Sequence, residues 1–238
     1  MANDYSEAWF DVFLPPGGGP QVEVEVEFIR RHLDVNAFPS LLDVACGTGR
    51  HAAALAPLGY EILGVDRSVQ ALESARTRAP GVTFAPLDMS ELDSLADDFD
   101  GVLSLWQSFG YGSEAENLRV LAAMGRRLRP GGRLVLDVYN RAALPTVEHD
   151  VFETPEGHRC RRSSRLDGNR FQVSLQYEGR TGGDEFDWQV YSVEELTQAL
   201  IQAGFRPLFT CTWFDADRPP TAGARRMQTV AERPGSRS

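Results

Sequence analysis

The chain has 238 residues, 42% of them hydrophobic, and a formal net charge of −10 at pH 7. All 24 basic residues are arginine, which excludes chemistry that needs a lysine, such as Schiff-base catalysis or the phosphate lysine of a P-loop. An acidic chain is poorly suited to bind nucleic acid, because phosphate contacts dominate that affinity. No apolar run is long enough to span a bilayer, so we expect a cytoplasmic protein without a membrane partner. Three cysteines without metal-ligand spacing indicate that there is no metal site.

Two helices are predicted at the N-terminus, over residues 5–14 and 22–33. Aromatic side chains recur at helical spacing in the first of them, and a run of prolines and glycines at 15–20 separates the two like a hinge. Alternating valines and glutamates in the second segment also fit a strand. Residues 1–34 are therefore predicted as a helical lid over a ligand, with a helix packed on the core as the alternative.

From Ser40 onward, short apolar segments alternate with amphipathic ones, which predicts an α/β fold with a doubly wound parallel sheet. In such sheets, ligands bind at the carboxyl ends of the strands. We expect strands near 41–45, 61–65, 82–86, 99–105 and 132–138, and helices near 49–57, 68–79 and 114–128. Ser68 and Ser113 are expected to cap the starts of the last two helices, and Ser192 that of a later one.

The pattern changes after Asn140. Clean alternation over 170–178 behind an Asp-Gly-Asn turn predicts an antiparallel β-hairpin insertion at 150–191, which could roof a substrate pocket or form an oligomer contact. Three arginines, at 159, 161 and 165, would share one strand face, either solvated or binding an anion. The core is then predicted at 35–149 and 192–231, with a helix at 192–203, strands at 205–214 and 225–231, and a flexible tail at 232–238.

The most informative motif is a glycine turn that follows the first predicted strand. The turn comprises Gly47, Thr48 and Gly49; Asp43 precedes it, and Asp66 ends the next strand. Glycines let backbone N–H groups approach a ligand closely, and an acid at a strand end can accept both ribose hydroxyls. A nucleoside-containing ligand is therefore expected, and the turn also fits the G-x-G-x-x-G/A template of dinucleotide-binding dehydrogenases.

The segment from Asp43 to Gly49, the acid Asp66, the Leu87-Asp88-Met89 step and the later segment 128–135 together resemble the class I S-adenosylmethionine-dependent methyltransferases. The resemblance covers about residues 35–140. It implies a Rossmann-like sheet of seven strands with the last one antiparallel, and methyl transfer to N or O of a small molecule by in-line displacement. An NAD-dependent dehydrogenase and a non-catalytic nucleoside-binding or sensor protein are the alternatives.

The resemblance also implies the cofactor and its site. S-adenosylmethionine would be the methyl donor and S-adenosylhomocysteine the product. The residues implied for cofactor binding are Asp43, Ala45, Gly47, Thr48, Gly49, Asp66, Arg67, Asp88, Met89 and Leu105.

The Ser-Phe-Gly-Tyr stretch after the fourth strand is similar to that of bacterial small-molecule methyltransferases of the glycine N-methyltransferase-like and sugar-amine groups. The acceptor is expected to contact this stretch and the segments that overhang the strand ends, the N-terminal helix and the insertion. The candidates are Trp9, Trp106, Ser108, Phe109, Tyr111, Tyr139 and Arg161. Trp106 and Phe109 could instead belong to the core, as aromatic residues usually do. If the reaction uses a base, the candidates are Tyr111, Tyr139 and His149, which is expected in a loop after the fifth strand.

Overall fold

The computed structural model describes residues 3, 5–13, 20–154 and 157–235, so most of the predicted hinge at 15–20 and residues 236–238 lie outside the described residues. The strands are β1 (Ser40–Val44), β2 (Glu61–Asp66), β3 (Thr83–Pro86), β4 (Phe99–Ser104), β5 (Leu128–Tyr139), β6 (Val147–Glu153), β7 (Arg159–Asp167), β8 (Arg170–Tyr177), β9 (Gly183–Gln189), β10 (Arg206–Cys211) and β11 (Arg226–Glu232). The α-helices are α1 (Glu7–Phe13), α2 (Pro20–His32), α3 (Arg50–Leu55), α4 (Val69–Arg78), α5 (Glu114–Arg126) and α6 (Val193–Gln202).

Seven strands form the main sheet in the order β10-β11-β5-β4-β1-β2-β3. β1 pairs in parallel with β2 and β4, and β4 pairs in parallel with β5. β11 runs antiparallel to both β5 and β10, which confirms the predicted seven-stranded sheet with an antiparallel last strand. The segment at 22–33 that could have been a strand is the helix α2.

Both faces of this sheet are covered because its central strands are apolar throughout. Leu41 packs in a core with α2, α3 and α4, whereas the adjacent Leu42 packs in a second core with α5 and α6. Successive side chains of a strand point to opposite faces, so a continuous apolar run requires helices on both sides. The sheet's carboxyl edge therefore stays open for a ligand.

Side-chain caps set where three helices begin. Ser68 accepts a hydrogen bond from the amide of Ala71, and complete capping boxes join Ser113 to Glu116 and Ser192 to Glu195. These reciprocal bonds satisfy amide groups that have no partner within the helix. All three serines were expected at helix starts from the sequence.

The region after Asn140 differs from the prediction in extent. It forms a four-stranded antiparallel sheet, β6-β7-β8-β9, rather than a single hairpin, and its first strand starts at Val147, before the predicted boundary. The expectation of a loop at His149 is wrong, because His149 lies within β6. β6 and β7 lack strict apolar alternation, so periodicity did not reveal them. The remaining domain boundaries stay a prediction.

One face of the second sheet packs under the N-terminal helix. Phe171, Val173 and Leu175 of β8 form a third core with Phe186 of β9, and α1 contributes Val12 to it. This core fixes α1 above the carboxyl edge of the main sheet. The predicted arginine face of β7 lies on the opposite, exposed side.

The predicted tail is ordered at its start. Glu232 is the last residue of β11 and its carboxylate pairs with Arg206 at 2.7 Å, while the amide of Arg233 bonds to the carbonyl of Gly132 at 2.8 Å. The tail prediction is wrong for these residues, because antiparallel pairing with β5 and β10 extends the last strand.

Replacing the capping serine of α6, Ser192→Ala, should lower the free energy of unfolding by about 1 kcal/mol, because the amide of Glu195 loses its partner. Chemical denaturation measures the change. Ser74→Ala, on the exposed face of α4, is the matched control and should leave stability nearly unchanged. Equal effects of the two changes would contradict the capping role.

Candidate active site

A cavity of about 820 Å³ opens at the carboxyl ends of β1, β2, β3 and β4, beneath α1. Many residues that the sequence predicted for cofactor and acceptor line it together. They are Asp43, Ala45, Gly47, Asp66, Arg67, Asp88, Met89, Leu105, Trp9, Trp106, Ser108 and Tyr111.

The glycine turn after β1 is held by the acid at the end of β2. The Asp66 carboxylate accepts the amide hydrogens of Gly47 and Ser68, each at 2.8 Å. Ala45, Gly47 and Gly49 all have positive φ, and a Cβ on Gly49 would lie 2.9 Å from the Ala75 Cβ. The turn therefore depends on its glycines for geometry, and Asp66 retains lone pairs that can accept hydroxyl groups.

Asp43 is a buried carboxylate at the bottom of the cavity. It is 2% exposed, and its Oδ2 atom has no hydrogen-bond partner. Burial raises the pKa of Asp43 to about 7, with the charge of Asp66 acting in the same direction and Arg50 opposing it. Buried polar atoms are nearly always hydrogen-bonded, so an unpartnered oxygen at a cavity wall is suited to receive a ligand's donor.

The opposite wall of the cavity is formed by the segments that follow β2 and β3. Asp88 caps a short 3-10 helix by accepting from the amide of Ser90 at 2.9 Å, and both Asp88 and Met89 line the cavity. The Arg67 guanidinium donates to the backbone carbonyl of Asn3, which ties the N-terminal segment to this wall.

Aromatic side chains form the cover of the cavity. Tyr5, Trp9 and Phe10 come from the N-terminal segment, and Tyr111 follows β4. The Tyr5 ring centroid lies 4.4 Å from that of Trp9 and 6.4 Å from that of Tyr111, and the two tyrosine hydroxyls are hydrogen-bonded. We call these four residues the aromatic cover. Burial raises the pKa of Tyr111 to about 12, so its phenol stays protonated at neutral pH.

The turn after β4 is strained. Trp106 and Gln107 have φ values of 57° and 56°, although neither is glycine. Such conformations cost on the order of 1–3 kcal/mol each and persist only where the surroundings impose them. Here the Trp106 amide donates to the Asp137 carboxylate at 2.8 Å, and the indole N–H donates to Glu25 at 2.6 Å.

Three residues in or next to the site were not predicted from the sequence. Arg50 and His51 line the cavity, and Glu25 lies behind them with its side chain fully buried. Burial pushes the pKa of Glu25 upward, but the hydrogen bond from His51 at 2.6 Å, with Arg50 and Trp106, outweighs it and holds that pKa at about 2. Glu25 is one of three glutamates that alternate with valines in α2, and nothing in the sequence marks it as the one that becomes buried.

Other predicted residues do not line the cavity. Thr48 is buried and accepts a hydrogen bond from Arg78 at 3.0 Å, and Gly49 packs against Ala75. Phe109 is in the core, where it stacks on Tyr191, as the alternative interpretation expected. The cavity lining also lacks three further predicted residues, Tyr139, His149 and Arg161.

Tyr139, His149 and Arg161 lie elsewhere in the fold. Tyr139 packs on Trp188 and Phe171 in the third core. His149 and Arg161 lie on the exposed face of the second sheet, where Ser163 is the hydrogen-bond partner of His149. The two roles considered for the insertion at 150–191, a substrate roof and an oligomer contact, both stay predictions.

The fold and the edge of the sheet define a class of protein. A doubly wound sheet carries a glycine turn after β1, an acid at the end of β2 and a second acid after β3, all lining one cavity at the strands' carboxyl ends. This is the arrangement of a nucleoside-binding α/β protein.

Comparisons with known proteins identify the ligand chemistry. Residues 41–132 match the family model described as "Methyltransferase domain". The putative methyltransferase YqeM of Bacillus subtilis is 30% identical over 81% of this chain and 83% of its own length. A dTDP-4-amino-2,3,4,6-tetradeoxy-D-glucose N,N-dimethyltransferase of Saccharopolyspora spinosa is 30% identical over 70% and 71%. Other relatives align over less of their length. A demethylmenaquinone methyltransferase of Clavibacter sepedonicus is 36% identical, but the alignment covers only 46% of that protein.

The crystallographic sugar N-methyltransferase KedS8, from a Streptoalloteichus species, superimposes with a TM-score of 0.71 at 30% identity, covering 98% of this chain and 97% of that one. The chain belongs to the class I S-adenosylmethionine-dependent methyltransferases. It is therefore an enzyme that uses S-adenosylmethionine as methyl donor, and the dehydrogenase and sensor alternatives are wrong. No helix among the described residues is both long and apolar enough to cross a membrane.

The Asp43→Asn variant should show a pH-dependent gain in stability without ligand. The folded pKa of about 7 lies above that of an unfolded aspartate, so the folded state binds more protons and loses stability as pH rises from about 4 to 7. At pH 8 the variant removes a buried charge and should melt at a higher temperature than wild type; at pH 5 the difference should be small. Thermal unfolding at both pH values measures this, with Asp97→Asn as the exposed control. A pH-independent difference would contradict the raised pKa.

Proposed function

We propose that this enzyme methylates an amino group on a small-molecule acceptor, and that the acceptor is an amino sugar. The similarity to proteins named as sugar N-methyltransferases supports the acceptor class. Within this chain, the aromatic cover over the cavity is the observation that favours methyl transfer to nitrogen over transfer to oxygen.

The residues of the cavity fit the donor. When bound, S-adenosylmethionine supplies an electrophilic methyl group on a sulfonium ion. Asp43, with its unpartnered Oδ2, would hold the donor's ammonium group, and Arg50 its carboxylate. Asp66 would accept the ribose hydroxyls, and the Asp88–Met89 step would contact the adenine edge.

The aromatic cover suits a reaction that moves positive charge. Before transfer the charge is on a sulfonium, and after transfer to an amine it is on an ammonium. Ring faces attract such cations, more strongly where water is excluded. Tyr5, Trp9, Phe10 and Tyr111 line the same cavity as the glycine turn, so both cations would lie close to their rings.

An amine also needs the least acid–base help. A neutral amine attacks with its own lone pair, whereas an aliphatic hydroxyl needs a base to take its proton. The pKa of Tyr111 is about 12, which makes it a hydrogen-bond donor rather than a base, and burial lowers the pKa of His51, which weakens that imidazole as a base. In our proposal Tyr111 orients the acceptor, and neither His149 nor Arg161 takes part.

A pair of acceptors tests this proposal. The probe is dTDP-4-amino-2,3,4,6-tetradeoxy-D-glucose, and its counterpart with a hydroxyl group in place of the amine is the control. We expect S-adenosylhomocysteine release and a methyl mass gain with the amine alone. Transfer to the hydroxyl sugar at an equal rate would overturn the choice of nitrogen, and no transfer to the amine would overturn the amino-sugar class.

The Asp66→Ala variant should lose donor affinity by about 1.5–3 kcal/mol, the range for hydrogen bonds to a charged group. Calorimetry with S-adenosylhomocysteine measures the loss, and circular dichroism checks that the fold is retained. Arg161→Ala, on the exposed face of β7, is the control and should bind the donor product like wild type. Normal binding by a destabilised Asp66→Ala protein would assign this carboxylate a purely structural role.

A further inference from the structure

Three charged residues, two of them fully buried, contact Trp106 and its turn without lining the cavity. We call Glu25, Asp137 and Arg226 the rear cluster. Glu25 and Asp137 are fully buried, and none of the three lines the cavity. Arg226 donates through both Nε and a terminal nitrogen to the Asp137 carboxylate, and it lies 3.7 Å from Glu25.

The rear cluster holds the backbone of the turn after β4. The Trp106 amide donates to the Asp137 side chain at 2.8 Å, and the Gln107 amide donates to the Asp137 carbonyl at 3.1 Å. Both residues have positive φ, a conformation that side chains other than glycine rarely adopt. Asp137 therefore imposes an unfavourable backbone geometry at the wall of the active site.

The rear cluster also fixes the indole ring. Glu25 accepts the indole N–H at 2.6 Å, which sets the ring's in-plane orientation. Guanidinium groups flank the ring, Arg50 at 3.8 Å and Arg226 at 5.1 Å from its centroid. A ring tethered at its nitrogen and covered by two cations has little freedom to change rotamer.

Stability alone gives a weak reason for such an arrangement. Buried ion pairs contribute little more than well-packed apolar residues would, because desolvation offsets their attraction. Here the charged groups fix the orientation of Trp106. Asp137 accepts its backbone amide hydrogen, Glu25 accepts its indole N–H, and Arg226 lies within ion-pair distance of both carboxylates.

We propose that Glu25, Asp137 and Arg226 act as positioning residues that hold Trp106 as the wall against which the acceptor is aligned for transfer. This inference rests on the proposed function for its catalytic readout. Because displacement is in-line, a small shift of that wall would misalign the attacking nitrogen while leaving the donor site intact.

The experiment compares Arg226→Met and Arg226→Lys with Arg225→Met. Arg225 is the neighbouring residue, and it pairs with Glu148 at 2.9 Å on the protein surface instead of with the cluster. With the amino sugar named above as acceptor, Arg226→Met should lower kcat by about tenfold or more, since misplacement of reacting groups is costly. Its Kd for S-adenosylhomocysteine should stay close to that of wild type.

The lysine variant restores the charge without the two-pronged contact, so it should recover part of the kcat lost in Arg226→Met. Arg225→Met should match wild type in both quantities. A kcat in Arg226→Met equal to that in Arg225→Met would overturn the proposal. So would a loss of activity that only follows the fraction of folded protein, because a merely structural role predicts that result.

A second readout does not depend on catalysis. The indole N–H resonance of Trp106, identified by its disappearance in Trp106→Phe, should shift upfield in Glu25→Gln, because a neutral amide accepts a weaker hydrogen bond. An unchanged resonance in both Glu25→Gln and Arg226→Met would overturn the positioning role. If wild type methylates no amine, the proposed function fails, and this resonance still decides whether the cluster holds Trp106.

Discussion

The hydrogen bond from the Gly47 amide to the Asp66 carboxylate joins the ends of two neighbouring parallel strands, and the ligand-binding edge depends on it. The glycine turn has several left-handed residues, so local preference does not define a single conformation for it. Asp66 supplies the missing constraint and, through the Ser68 amide, also sets the start of α4. The protein's own hydrogen bonds thus define the shape of the donor site.

The same construction recurs on the other side of β1, where β4 is the adjacent strand. The turn after β4 also leaves the regular backbone conformation, and the acid that holds it, Asp137, again comes from the neighbouring parallel strand, β5. Parallel strands end side by side, so an acid near the end of one can accept amide hydrogens from the turn of the next. The turn held by Asp66 forms the donor end of the cavity, whereas the one held by Asp137 positions Trp106.

The cover of the cavity comes from segments that are far apart in the chain. Asn3 extends the edge of β9 by bonding to the Glu185 carbonyl at 2.7 Å, and Ser6 donates to the buried Asp184 carboxylate at 2.7 and 2.8 Å. The Tyr5 hydroxyl then meets that of Tyr111. The second sheet therefore serves the site indirectly, as the base that holds α1 in place.

The sequence by itself determined the alternation of strands and helices, the glycine turn with Asp66, and the capping serines, because each depends on neighbours within a few residues or one motif. Only the tertiary structure decided that Glu25 contacts His51 and Trp106, which are 26 and 81 residues away in the chain. It also decided that His149 lies in an exposed strand of a four-stranded sheet. Such outcomes depend on which face of an element meets another element, and local periodicity does not specify the position of that partner.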